Sequence, residues 1–158
     1  PVLVTTADHP LLTPSIVSAF IEQAGHGDVS IGMVERQVMH ATYPENRRTW
    51  LKFSDGHWSG ANLFALNSEA ARGALNLWSQ AEQDRKKAWK LFLHFGPWLA
   101  LRAVTRTIGL ADALRAAGNR LGLEARLVPL SNAEAAIDVD KLSDYRLAEE
   151  ILKRRALT

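Results

Sequence analysis

The 158 residues carry 19 lysines and arginines against 17 acidic groups, a net charge of +2, and contain no cysteine. A chain of this length fills one domain with a core of its own, here taken as residues 1–158. Without cysteine it has no disulfide framework, no thiol nucleophile and no cysteine metal site. The basic runs Arg85-Lys86-Lys87 and Lys153-Arg154-Arg155 are too short for a nucleic-acid surface. The opening apolar run lacks a signal peptide's positive leader, so a cytoplasmic protein is expected.

In chain order, Val2, Leu3 and Val4 followed by Thr5 and Thr6 predict a buried strand that ends at Asp8. His9-Pro10 breaks it. Thr13-Pro14 then starts a helix, with Thr13 as N-cap and proline at the first helical position, and Ile16, Val17, Phe20, Ile21 and Ala24 keep helical spacing to Gly25. Residues 29–40 predict a second strand with a polar far end, and 43–50 a loop. Short strands at 50–53 and 61–66 are joined by a turn with the hairpin signal Asp55-Gly56. Ser68 caps an alanine-rich helix to about Gln80, and Ser79 with Glu82 forms a capping box for another. Leu110, Ala113, Leu114, Ala117 and Leu121 make an amphipathic stripe, and Ala125 to Leu130 return to strand. The closing helix is expected to use Tyr145, Ala148 and Leu152, with Leu147 and Ile151 beside them. Strands alternating with helices argue for an α/β fold with a mostly parallel sheet.

The chemistry concentrates at two strand ends. Asp8 lies in a strand-to-helix turn, the address at which open α/β sheets bind ligands, although turn aspartates also simply cap backbone N–H groups. In "AAIDVDKLSDY" the alternation turns Ile137 and Val139 to the core and Asp138 and Asp140 together to the other side. Carboxylates from two such places can share a hard cation such as Mg²⁺, which takes oxygen ligands and is commonly shared with substrate phosphates.

The stretches "VLVTTADHPLLTPSIVSAFIE" and "AIDVDKLSDYRLAEEIL" resemble the MobA-like NTP transferases, the molybdenum-cofactor guanylyltransferase-like nucleotidyltransferases. "SGANLFAL" is similar to the glycine- and asparagine-containing acceptor segment of that family. The resemblance implies a Rossmann-like three-layer sandwich of the nucleotide-diphospho-sugar transferase type, a nucleoside triphosphate donor, a phosphorylated small-molecule acceptor, release of pyrophosphate, and Mg²⁺. By it Asp8 is the principal metal ligand, Asp138 or Asp140 the second, and Gly60 and Asn62 line the acceptor pocket. The family's glycine-rich, arginine-containing nucleotide loop has no counterpart in these residues. The chain therefore reads as an N-terminally incomplete, C-terminal portion of such a domain, expected to be weak or inactive by itself.

His9 beside Asp8 and Lys86 within "DRKKAWK" are candidate phosphate contacts, although a turn histidine and a solvated helix face would read the same way. The other histidines lack metal-ligand spacing. The crowded apolar segment 89–101, broken at Gly96-Pro97, is too short to span a bilayer and predicts a helical hairpin insertion. A sharper reading makes it a peripheral membrane or homo-oligomer contact. Two other functions stay open: a nucleotide-sugar-dependent glycosyltransferase using the same D-x-D, and a non-catalytic subunit or membrane-docking module retaining the fold.

Overall fold

The computed structural model describes residues 2–71, 73 and 96–157. Its first helix follows the sequence signals closely. α1 (Pro14–Ala24) is capped by Thr13, whose Oγ1 accepts the Ile16 N–H at 3.3 Å, and it stops at Gly25, whose φ of 63° lies where glycine is favoured. Ile16, Phe20 and Ala24 face inward.

The strands are β1 (Val2–Thr5), β2 (Val29–Glu35), β3 (Leu51–Phe53), β4 (Gly56–Leu66) and β5 (Ala125–Leu130). They form one sheet in the order β1-β4-β2-β5, with β3 paired to β4. The expected mostly parallel sheet is corrected here. β4 pairs antiparallel with β1, β2 and β3, and among the described residues only β2 and β5 pair in parallel. The reason is the inserted direction of β4: the strands flanking it run one way and β4 runs back between them. The carboxyl ends of β1, β2 and β5 therefore still share one edge of the sheet, and there the candidate site forms. At the sheet's other side Pro129 lies on β5, an end strand of this order, where a missing N–H is tolerated.

Period-2 alternation sorts the sheet's side chains between two layers. Val34, Ala61, Leu63, Val128 and Leu130 meet Phe20 and Ile16 of α1, Met39 of α2 (Arg36–Thr42), and Ala148 and Ile151 of the closing helix. On the opposite face Met33 and Trp58 meet Leu110 of the amphipathic helix at Leu110–Arg120. Fully buried Phe20 and Leu63 each contribute about 1.5–3 kcal/mol through removal of apolar surface from water. Helices thus cover both faces of a mixed α/β sheet.

The remaining helices among the described residues are α3 (Pro97–Val104), α4 (Leu110–Arg120) and α5 (Leu142–Ala156). Asp55 of the β3–β4 turn does more than turn the chain. Its two carboxylate oxygens accept the Leu110 N–H at 3.0 and 2.9 Å and so cap α4 from across the fold, while Gly56 at φ 144° completes the hairpin.

Four local expectations change. β1, expected to be buried, is an end strand that leaves Val2 and Leu3 exposed. The second predicted strand ends at Glu35, and Arg36–Thr42 folds as α2, turning Met39 into the core. Residues 137–140 join no strand ladder and bend at Asp140, following a 3₁₀ turn at Ala133–Ala136. α5 buries Ala148 and Ile151, whereas Tyr145 and Leu152 face outward. The expected helices at 68–80 and from Ser79 fall mostly outside the described residues, as does most of segment 89–101. Its described end, α3, has no buried residue and leaves Trp98, Leu101 and Val104 exposed. No helix among the described residues is long and apolar enough to cross a membrane.

Candidate active site

Two segments some 130 positions apart are stitched together by one backbone bond. The Val139 N–H donates to the Asp8 carbonyl at 2.9 Å, joining the turn after β1 to the segment before α5. Ile137 is buried and Val139 packs against the main core, so Asp138 and Asp140 emerge on the other side without a strand ladder to enforce the alternation. One carboxylate oxygen each from Asp8, Asp138 and Asp140 lie within 4.8 Å of one another.

The three acids differ in their surroundings. Asp138 is held on both oxygens: Arg48 binds Oδ1 at 2.5 Å and the Asn62 amide donates to Oδ2 at 3.3 Å. Asp140 lies beside the start of α5, where its N–H and that of Lys141 donate to the Asp144 carboxylate, the first-turn acid that caps the helix. Asp8 has a buried Oδ1 with no hydrogen-bond partner among the described residues. A buried carboxylate oxygen is costly to leave unmatched. The same turn holds three more such atoms, Thr6 Oγ1 and both ring nitrogens of His9.

A donor set made only of carboxylate oxygens suits a hard cation. Mg²⁺ holds oxygens at about 2.1 Å, so ligands on opposite sides of it lie about 4.2 Å apart, a few tenths of an ångström closer than the widest spacing here. Among the described residues one oxygen of Asp8 has no hydrogen-bond partner that a cation would have to displace.

Asn62 reaches Asp138 because β4 is irregular. Ile31 pairs with Phe64 but Met33 pairs with Gly60, so β4 carries extra residues against β2, and Asn62 sits in that bulge at φ 50°. Bulges re-aim side chains in this way, and asparagine tolerates the left-handed backbone better than most residues. Gly60 and Asn62 border a cleft of about 430 Å³ together with Arg47, Arg48, Asp138, Asp140 and Lys141. The Lys141 ammonium approaches the Arg47 carbonyl at 3.4 Å.

His9 lies elsewhere. It is only 8 % exposed, packed beneath the turn, and burial pushes its imidazole below the ordinary range against the opposing pull of the Glu134 backbone and of the Asp138 and Asp8 charges. From there it shapes the Asp8 turn and does not border the cleft. Lys86, with Arg85 and Lys87, lies outside the described residues.

Sequence reasoning passed over Arg48, whose Nε donates to the buried Ser59 hydroxyl at 3.1 Å while its terminal nitrogen holds Asp138. The available signal was the pair Arg47-Arg48 inside a predicted loop. It also missed a second cluster behind the site. Glu134 accepts the Tyr43 hydroxyl at 2.7 Å on one oxygen and the Arg155 guanidinium on the other, and Arg155 also donates to the Leu11 carbonyl at 3.2 Å. Burial, with the Glu134 carboxylate, raises the Tyr43 phenol to about 12.

No protein-family profile and no curated protein matches this sequence. A solved structure described as a hypothetical transferase from Thermus thermophilus is similar, with 29% identity and a TM-score of 0.77 over 90% of this chain and 62% of that one. The chain thus shares its fold with a protein described as a transferase, and spans 62% of that protein's length.

Proposed function

We propose that this chain forms the metal-binding and acceptor-binding part of a nucleotidyltransferase related to the MobA-like enzymes. The observation that carries the reading is the convergence of Asp8, Asp138 and Asp140 within 4.8 Å at the carboxyl edge of the sheet, beside a cleft in which Arg47, Arg48 and Lys141 face Asp138, Asp140 and Asp144. The likeness to a protein described as a transferase supports the same class.

In this reading an oxygen of the acceptor's phosphate attacks the α-phosphorus of a nucleoside triphosphate, the bond between the α-phosphorus and the bridging oxygen breaks, and pyrophosphate leaves with that bond's electrons. Asp8 with Asp138 or Asp140 would hold Mg²⁺, which when bound would supply charge neutralisation for the phosphate oxygens. The protein's own part is positioning. Asn62 holds one oxygen of the Asp138 carboxylate, the β4 bulge sets Asn62 and Gly60 at the cleft wall, and no covalent protein intermediate is needed. Lys86 remains a proposed phosphate contact.

The test is a release assay with the four common nucleoside triphosphates and a panel of phosphomonoesters, in Mg²⁺ and in chelator. As a part of such an enzyme the chain is expected to give only weak, metal-dependent pyrophosphate release, which disappears in Asp8→Asn. Release of a nucleoside diphosphate from nucleotide-sugars would assign the glycosyltransferase class instead. Silence in both assays, together with no binding of Mg²⁺ or nucleotide, would leave the non-catalytic module.

A further inference from the structure

The cleft is built with a contradiction. Asp138 belongs to the carboxylate group suited to a dication, yet in the folded chain its charge is already matched by Arg48 at 2.5 Å. An ion pair this close neutralises one of three carboxylates and repels an incoming cation. The pair is also well shielded, with the Arg48 and Asp138 side chains only 14 % and 20 % exposed, so solvent screens it poorly.

Arg48 is anchored in a manner that permits exchange. Its Nε is fixed to Ser59, which is buried on β4, while one terminal nitrogen carries the contact to Asp138. A guanidinium offers five N–H donors in a planar fork, and the fork matches the oxygens of a phosphate as well as those of a carboxylate. Arg48 also borders the cleft, with Arg47 and Lys141 on the same lining. Lys141 is held there by one long contact to a backbone carbonyl, leaving ammonium donors for a ligand.

From this geometry we infer that Arg48 is an exchangeable counter-ion: it neutralises Asp138 in the empty site and transfers to the phosphate of a phosphomonoester bound in the cleft, so that phosphate and divalent cation bind with positive coupling. This rests on the metal reading given above and extends it to Arg47, Arg48 and Lys141 as the phosphate subsite. The charge balance favours joint occupancy. A dication alone crowds positive charge against Arg48, and a phosphate dianion alone faces the carboxylates, whereas the two together add no net charge. Binding of either then raises the affinity for the other by the same factor.

The experiment counts bound Mn²⁺ by the loss of its free-ion electron paramagnetic resonance signal, with and without methyl phosphate, on the wild-type chain and on Arg48→Gln, Arg48→Lys and Arg47→Gln. Thermal unfolding confirms that each variant is folded. In the wild type, methyl phosphate is expected to tighten Mn²⁺ binding about tenfold, within the usual span of coupling between sites. Arg48→Gln should bind Mn²⁺ several-fold more tightly than wild type when methyl phosphate is absent and should lose the coupling. Arg48→Lys should restore part of it, because the charge returns without the fork. Arg47→Gln should weaken methyl phosphate binding.

Weaker Mn²⁺ binding by Arg48→Gln would make Arg48 a mere brace for Asp138 and overturn the exchange. Undiminished coupling in that variant would overturn it equally. If the wild type binds no Mn²⁺, the metal reading fails first. The phosphate subsite is then judged by metal-free calorimetry with methyl phosphate, where binding that survives Arg48→Gln would overturn it.

Discussion

Two charged clusters lie near the same edge of the sheet, and they are finished to different degrees. Glu134 has a partner on each oxygen, Tyr43 on one and Arg155 on the other, and Arg155 ties the end of α5 to Leu11 after the first strand. The Asp8, Asp138 and Asp140 group brings like charges together, with a single guanidinium on Asp138 and a buried oxygen of Asp8 left unmatched. A saturated cluster is what a fold uses to hold segments together. A cluster that keeps repulsion and an orphaned oxygen costs stability, and proteins retain such arrangements where a ligand will complete them. The comparison separates a structural pin from a candidate site without reference to any relative.

Substitutions in the two clusters should therefore fail in opposite ways. The largest effect expected is on binding: Asp8→Asn should weaken Mn²⁺ by at least about a hundredfold, exceeding the usual cost of losing an outer-sphere partner. The melting temperature should hold or rise, because one of three crowded charges is gone. Calorimetric titration and a thermal scan on the same sample read both. A large fall in melting temperature would move Asp8 into the structural class.

Glu134→Ala should show the reverse. It strips Tyr43 and Arg155 of their shared acceptor and should cost about 2–3 kcal/mol in a urea titration, with Mn²⁺ affinity nearly unchanged. Tyr43→Phe removes one hydrogen bond and should cost about 1 kcal/mol. It should also change the alkaline limb. The Tyr43 phenol lies at about 12 in the fold against 10.0 in the unfolded reference, so the folded chain holds that proton more tightly. The resulting stability is complete below pH 10 and is lost as pH rises through about 12. Tyr43→Phe should flatten the decline over that window in chemical denaturation at graded pH.

The smallest effect is expected away from both clusters. Trp98 is 68% exposed on α3, a helix with no buried residue, so Trp98→Asp should shift stability by no more than about 0.5 kcal/mol. A loss of several kcal/mol would place Trp98 in a packed interface.

Local signals read well where one segment sufficed. Thr13-Pro14 and Gly25 bound α1 as expected, the Leu110 stripe forms α4, and the apolar run at 125–130 is β5. The adjacent acids at 138 and 140 were legible because alternation alone turns them the same way. Strand direction was not legible. An apolar run such as "ANLFAL" says that a strand is buried and nothing about which way it runs between its neighbours, so the reversal of β4 escaped, and with it the bulge that aims Asn62. Arg36–Thr42 reads as a strand continuation because seven residues are too few to distinguish the two periods. Arg48 and Glu134 gained their roles from contacts 90 and 91 positions away, with Asp138 and Tyr43, which no local pattern encodes.

The central claim, that the three aspartates form one metal site, is tested most directly by anomalous diffraction from crystals of the chain soaked in Mn²⁺. The account predicts a peak at coordination distance from Asp8 and from Asp138 or Asp140, absent in Asp8→Asn crystals soaked alongside. A wild-type map without a peak among these carboxylates, at Mn²⁺ concentrations that saturate other Mg²⁺ sites, would contradict it.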